Sequence, residues 1–355
     1  MTRTLKISPP LLAFGIQFCA TIDGHAAADD ALELWSNQAF GDKYSLLDRP
    51  APGERTYEGY PYVSNYINVG EPGNPTKMHY IEIGKGQRFD APTIVAVHGL
   101  PASAYLWRDT LLDMFFSCED GHINFIAIDL INHGNSDRST NYGLRDHIQY
   151  LRRFIQRAGL ENVILWGHDW GGGVAAGYAA LHGDETNISG YIFSETAVAP
   201  LERSDVPPFA LEVRGPNGRE LIIENEIFYD LLPSLTFSTV TEQDLEELVG
   251  KTEPEQAFQW PQNLYFTDHQ PDEPGYENKR LIENMDRALM RSQAQKLLLY
   301  FTPGAVARIP ADRYPNTQTV EVGPEIHFFQ FTQSQASADA VCQWVEDNDL
   351  PGLPR

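Results

Sequence analysis

The sequence predicts an α/β fold, a mostly parallel central sheet with helices on both faces and an inserted helical cap. Three observations carry that expectation. Short β-branched runs of the kind buried inside parallel sheets occur at residues 93–99 (TIVAVHG), 125–131 (FIAIDLI) and 162–167 (NVILWG). They alternate with helical patterns, which calls for crossover connections and a sheet covered on both sides. The alternation stops between about residues 200 and 293 and then resumes. A helical block inserted there is most simply a lid over the carboxyl ends of the strands, where such sheets bind ligands.

Each element follows from its own pattern. Arg3 and Lys6 precede an apolar stretch at 11–22, and Ala26-Ala27-Ala28 follows it. A charged start, a short apolar segment and a small-residue cleavage site read as an export signal over residues 1–28. The alternative is a polar-interrupted N-terminal extension on a cytoplasmic protein. Residues 64–70 and 77–84 read as two strands around a turn with Pro72 and Gly73. Between the second and third buried runs lies a helix over 144–160. Its Leu144, Ile148, Leu151, Phe154 and Ile155 fall on one face, and Gly159 ends it. A small-residue helix at 171–181 and a strand at 189–194 (SGYIFS) follow. The insertion is charged and proline-bearing, with helices expected at 221–232 and 242–249. Strands return at 296–301 (KLLLYF) and 317–322 (TQTVEV), and a helix at 336–345 closes the chain. The organisation expected is therefore a signal (1–28), a core in two parts (29–199 and 294–355) and a cap (200–293).

Composition narrows the function. The chain has 355 residues, 42% hydrophobic and 11% aromatic, enough to bury a core and exclude general disorder. No apolar run reaches the roughly 18 residues that a bilayer-spanning helix needs. Lys and Arg total 26 against 49 Asp and Glu, a formal charge of -23, which repels phosphate backbones and argues against nucleic acid. That charge reads as solubility. Three cysteines make neither a disulfide framework nor a metal-ligand spacing. Loss of residues 1–28 would leave Cys118 and Cys342, as buried thiols or as one bridge.

The chemistry concentrates at Gly167-His168-Asp169-Trp170-Gly171-Gly172, where a strand meets a small-residue helix. A G-x-nucleophile-x-G turn needs its glycines because the turn is tight and its central residue must project into the pocket. Here that residue is Asp169. A carboxylate displaces a leaving group from saturated carbon and is left as an ester. The helix that follows directs its positive end at the carboxylate and keeps it ionised. His98-Gly99-Leu100-Pro101 ends the early strand, so the backbone N–H groups of Leu100 and Trp170 are the expected oxyanion hole. His98 reads as a histidine bracing that loop. The order nucleophile, acid, histidine places the base at His327, in GPEIHF after the last strand. No Asp directly follows strand 296–301, where the sequence reads TPGAV. Glu195, ending the strand YIFSE, is the expected acid, because a carboxylate buried there needs a partner.

With these residues in place the chain resembles the haloalkane dehalogenases of the α/β-hydrolase fold. The segment from His98 to Arg108 (HGLPASAYLWR) is similar to that family's strand-3 motif. So are Ile128-Asp129-Leu130-Ile131 with Gly134-Asn135-Ser136-Asp137, and the elbow with its Trp. Leu221-Ile222-Ile223-Glu224-Asn225, Leu232-Pro233, Thr302-Pro303-Gly304 and Gly323-Pro324 extend the likeness over residues 60–345. The resemblance implies the subgroup with an Asp nucleophile, a Glu acid after strand six and a His base, which also contains coelenterazine luciferases. It implies hydrolysis of a small halogenated substrate, with the halide held by the Trp170 indole and no metal or organic cofactor. One position departs: the family usually has Asn where this chain has Leu100, so one halide donor is lost. Trp260 could supply a second N–H, although it reads first as a core aromatic. Epoxide hydrolases share the elbow and accept an apolar residue at that position. They protonate an epoxide substrate with cap tyrosines, for which Tyr229 and Tyr265 are the candidates. A non-catalytic ligand carrier is the third reading, and the paired Asp169 and His327 argue against it.

Overall fold

A computed structural model describes residues 56–57, 60, 62–84, 92–118, 123–183, 185, 187–348 and 350. The expected signal at 1–28, with Cys19, lies outside the described residues. Eight strands form one sheet: β1 (Asn65–Asn68), β2 (Lys77–Gly84), β3 (Thr93–Val97), β4 (Asn124–Ile128), β5 (Val163–His168), β6 (Ile188–Ser194), β7 (Gln295–Pro303) and β8 (Thr317–Glu325). Their order is β1-β2-β4-β3-β5-β6-β7-β8. The β1–β2 and β2–β4 pairs are antiparallel and the rest parallel. β3 and β5 are buried at every residue, as expected of strands covered on both faces.

From β3 the chain steps outward to β4, then returns to the other side of β3 as β5. The crevice at such a reversal, beyond the carboxyl ends of the strands, is where open α/β sheets bind ligands. Leu100 follows β3 and Asp169 follows β5, so the topology brings them together.

The helices differ in burial: some bury one face, and the one that follows Asp169 is buried along most of its length. In α2 (Leu144–Ala158) the predicted stripe of Leu144, Ile148, Leu151, Phe154 and Ile155 is buried. Gly159 ends it at φ 65°, a left-handed conformation that glycine adopts without steric cost. In α3 (Trp170–His182) small residues allow close approach. A Cβ at Gly177 would stand 2.1 Å from Ile148 Cδ1 of α2. α1 (Arg108–Ser117) was not anticipated as a separate helix; it packs against α6 (Ser334–Asp347). A disulfide joins Cys118 to Cys342 at that contact, which resolves the thiol pair as a bridge.

The insertion differs from the expected helices. Residues 221–232 do not form one helix. A π turn at Glu220–Glu224 breaks at Asn225 and Glu226, Glu226 taking φ 48°, before short turns at Phe228–Leu231 and Leu232–Leu235. Leu221, Ile222 and Ile223 are consecutive and cannot share one helical face; only Ile222 is fully buried. At 242–249 the start is helical, through a capping box between Thr241 and Asp244, and then widens into a π turn at Glu246–Gly250. α4 (Pro254–Gln262) carries Trp260 inward. α5 (Lys279–Arg291) falls within the stretch assigned to the cap, yet it packs on α3, through Leu281, Ile282, Met285 and Leu289 on its buried side.

Candidate active site

Asp169 is the first residue beyond β5 and caps α3 with φ 52° and ψ -125°. A non-glycine residue held at positive φ stores strain, and the surroundings here over-determine it. Its carbonyl accepts from Thr196 Oγ1 at 2.6 Å and from the Gly172 N–H at 3.0 Å. Two glycines let the backbone come close. A Cβ on Gly171 would lie 2.0 Å from the Val97 carbonyl oxygen, and one on Gly99 would lie 2.1 Å from Asp169 Oδ1.

The carboxylate faces a cavity with its two oxygens differently engaged. Oδ1 accepts from the Leu100 N–H at 2.8 Å, and Oδ2 stands 3.6 Å from His327 Nε2. Burial favours the neutral acid. The His327 and His168 rings and the Leu100 N–H outweigh it, and the carboxyl stays below its usual range.

His327 Nδ1 lies 3.6 Å from Glu195 Oε2, so the three residues form one line, Asp169–His327–Glu195. Glu195 directly follows β6 and also has a positive φ, 45°. Its Oε2 accepts from the N–H groups of Ala305 at 2.7 Å and Val306 at 3.2 Å. The start of the loop after β7 thus holds, through its backbone, the carboxylate that follows the neighbouring strand. Burial alone would lower the pKa of His327. Its interactions with Asp169 and Glu195 reverse that and lift it from 6.5 to about 9.

Two histidines brace the site. His98 Nδ1 bonds the Gly99 carbonyl at 2.8 Å while its Nε2 accepts from the Leu130 N–H at 3.0 Å, so it ties the β3 loop to the β4 loop. His168 Nε2 donates to the His327 carbonyl at 3.0 Å and, driven down by burial to a pKa of about 3, stays neutral. Sequence reasoning did not single out His168. Its signal was its place beside Asp169.

The cavity above Asp169 has a volume of about 140 Å³. Its wall is mostly apolar, with Leu100, Trp170, Phe209, Phe228, Leu232 and Phe328 among the lining residues. Tyr265 forms part of the wall, and its side chain interacts electrostatically with Lys279. Tyr229 is not among the lining residues, and neither is Trp260. The Trp260 ring is buried, 5.5 Å from that of Trp170, and its indole N–H has no partner. Among the described residues no group of His, Cys, Asp and Glu is arranged to hold a metal ion. Chemically, the arrangement is an ionised carboxylate at the floor of an apolar chamber, beside an imidazole that a second carboxylate can steady.

Comparison with known proteins agrees with this geometry. Residues 92–217 match the alpha/beta hydrolase fold family. A haloalkane dehalogenase from Mycolicibacterium smegmatis is 28% identical over 77% of this chain and 89% of its own length. One from Mesorhizobium japonicum is 28% identical over 76% and 88%. The crystal structure of an inferred ancestral haloalkane dehalogenase superposes with a TM-score of 0.69 at 25% identity, covering 80% of this chain and 99% of its own.

Proposed function

We propose, from the premise that this chain belongs to the haloalkane dehalogenase family of the α/β-hydrolase fold, that it cleaves carbon–halogen bonds hydrolytically through an aspartyl ester. The observation that carries the reading is the line Asp169–His327–Glu195, 3.6 Å at each step, opening on an apolar cavity. Asp169 Oδ2, the oxygen not tied to Leu100, attacks the halogen-bearing carbon. The carbon–halogen bond breaks and the halide departs with its electron pair toward the Trp170 indole N–H. His327 Nε2 then takes a proton from water, and the oxygen attacks the ester carbonyl carbon of Asp169. The N–H groups of Leu100 and Trp170 hold the tetrahedral oxyanion, and Glu195 steadies the imidazolium. Collapse releases the alcohol and restores the carboxylate, and the imidazolium gives up its proton.

The electrostatics suit the two steps in turn. Before attack, Asp169 and Glu195 together hold His327 protonated toward a pKa of about 9. Ester formation removes the charge of Asp169, so the imidazole loses part of that hold and becomes a base when a base is needed. The apolar wall strengthens these charge interactions by excluding water.

The test is halide and proton release from 1,2-dibromoethane and 1-iodohexane, with styrene oxide beside them. Halide release that disappears in Asp169→Ala supports the reading. Diol from the epoxide with no halide would replace it with epoxide hydrolysis.

Segment 200–293 serves as the cap that shapes the substrate chamber. The protein works outside the reducing cytosol, a reading supported by the Cys118–Cys342 bridge, since disulfides persist in oxidising compartments. Cell fractionation with the N-terminal mass of the recovered protein tests this; full-length chain confined to the cytosol would overturn it.

A further inference from the structure

The carboxylate of Glu325, two residues before His327, is fully buried and accepts four hydrogen bonds. Oε1 takes the backbone N–H of Phe237 at 2.9 Å and of Ile326 at 2.7 Å. Oε2 takes the hydroxyls of Thr236 at 2.9 Å and Thr332 at 2.5 Å. Two of these donors belong to the inserted segment, and two flank the catalytic histidine in its own loop. The backbone repeats the connection. The N–H groups of His327 and Phe328 both donate to the Leu235 carbonyl, at 3.0 and 3.2 Å. On its other side, the Glu325 carbonyl accepts from the Gly304 N–H at 3.1 Å, one residue before the Ala305 N–H that holds Glu195.

We propose that Glu325 is a positioning residue for His327: it locks the inserted segment Leu235–Phe237 onto the loop that carries the base, so that cap and base move as one unit. The proposal rests on the dehalogenase reading for its kinetic consequence and on geometry alone for its structural one. Among the described residues no cation pairs with Glu325, and a buried carboxylate of that kind is retained only where its lone pairs are used. Here two of the contacts, from Thr236 and Phe237, tie the inserted segment to the loop of the catalytic imidazole, and the two from Ile326 and Thr332 fix the carboxylate within that loop. Glutamine can keep part of this arrangement. Its amide oxygen can accept from the two backbone N–H groups while its NH₂ faces the threonine hydroxyls, which rotate to accept. Alanine leaves all four donors without their partner.

The test uses the full chain with Glu325→Ala and Glu325→Gln, and with Thr236→Val as a milder cut of the cap side alone. The first readout is the titration of the His327 ring by NMR. The second is burst against steady-state halide release. In Glu325→Ala the His327 titration moves down from its wild-type value, because the ring is no longer held between its two carboxylates. The burst persists while steady-state turnover falls roughly tenfold or more, since a base displaced by about 1 Å is costly. Thr236→Val shifts both readouts the same way by less, and Glu325→Gln recovers most of the loss. A folded Glu325→Ala protein with wild-type titration and turnover overturns the proposal. So does a Gln variant as impaired as Ala. Should Glu325→Ala not fold, an unchanged His327 titration in Thr236→Val overturns it instead. Should the wild-type protein release no halide, the dehalogenase reading fails while the NMR readout still decides the role of Glu325.

Discussion

Replacing Asp169 by Asn imitates, in charge and shape, the neutral ester that the first step would leave. In the free protein His327 is lifted from 6.5 to about 9 against the opposing effect of burial, with Asp169 and Glu195 each 3.6 Å from one ring nitrogen. A unit charge pair at such a distance attracts by ~4–5 kcal/mol at an effective dielectric constant near 20. That caps the effect of removing one carboxylate at about 3 pKa units, and neighbouring charges commonly shift a group by ~1–3. Asp169→Asn is therefore expected to bring His327 down by ~1–3 units, into the range where a water-activating base works near neutral pH. The assay is an NMR titration of the ring protons, with the His327 signal assigned by its loss in His327→Ala. Stability should follow with a definite sign. The folded pKa is raised, so the stabilisation is complete below 6.5 and is lost as pH rises through about 9. The wild-type urea midpoint should fall across that window, and the Asn variant should show a smaller fall at lower pH. A His327 titration unchanged by Asp169→Asn would refute the electrostatic coupling of the two residues, and with it the release of the base by alkylation.

Three further outcomes are expected. His327→Ala should retain the first step and accumulate an alkylated enzyme, visible by intact mass with 1-iodohexane; turnover with no adduct would count against a two-step path. Leu100→Asn adds an amide donor to the cavity wall and should tighten bromide binding roughly tenfold or more, as a hydrogen bond to a charged group allows. An unchanged quench of tryptophan fluorescence would remove Leu100 from that role. Gly99→Ala places a methyl 2.1 Å from Asp169 Oδ1 and must push the carboxylate aside. Halide release should fall by ~100-fold with the melting temperature nearly kept, and near wild-type turnover would show that the carboxylate's position is not critical.

Much of this molecule is legible in one dimension because the relevant signals are local. β3 and β5 are recognisable by β-branched runs, and both are buried throughout. The elbow is recognisable because a strained residue at φ 52° needs glycines wherever another backbone or side chain comes within about 3 Å of a Cβ position. Asp169 and His327 could be named from turn chemistry and chain order. Glu195 could be named because an acid ending a buried strand needs a partner, and the structure brings it within 3.6 Å of the His327 ring.

Other features had no local signature. The apolar pattern at 221–232 fits a helix, yet three adjacent apolar side chains and a positive φ at Glu226 break it into turns. α5 lies within the insertion by sequence and against α3 by packing. The Cys118–Cys342 bridge spans 224 residues. Tyr265 reached the cavity wall and Tyr229 did not. Glu325 was given no role from the sequence, and its four donors come from segments up to 89 residues away. The sequence by itself determined the strands, the elbow and the candidates for the reactive groups, because backbone sterics and side-chain periodicity act over a few residues. The tertiary structure decided which acid meets the imidazole, which cap side chains face the chamber and what holds the base's loop, because those contacts join distant segments whose approach depends on the packing of the whole core.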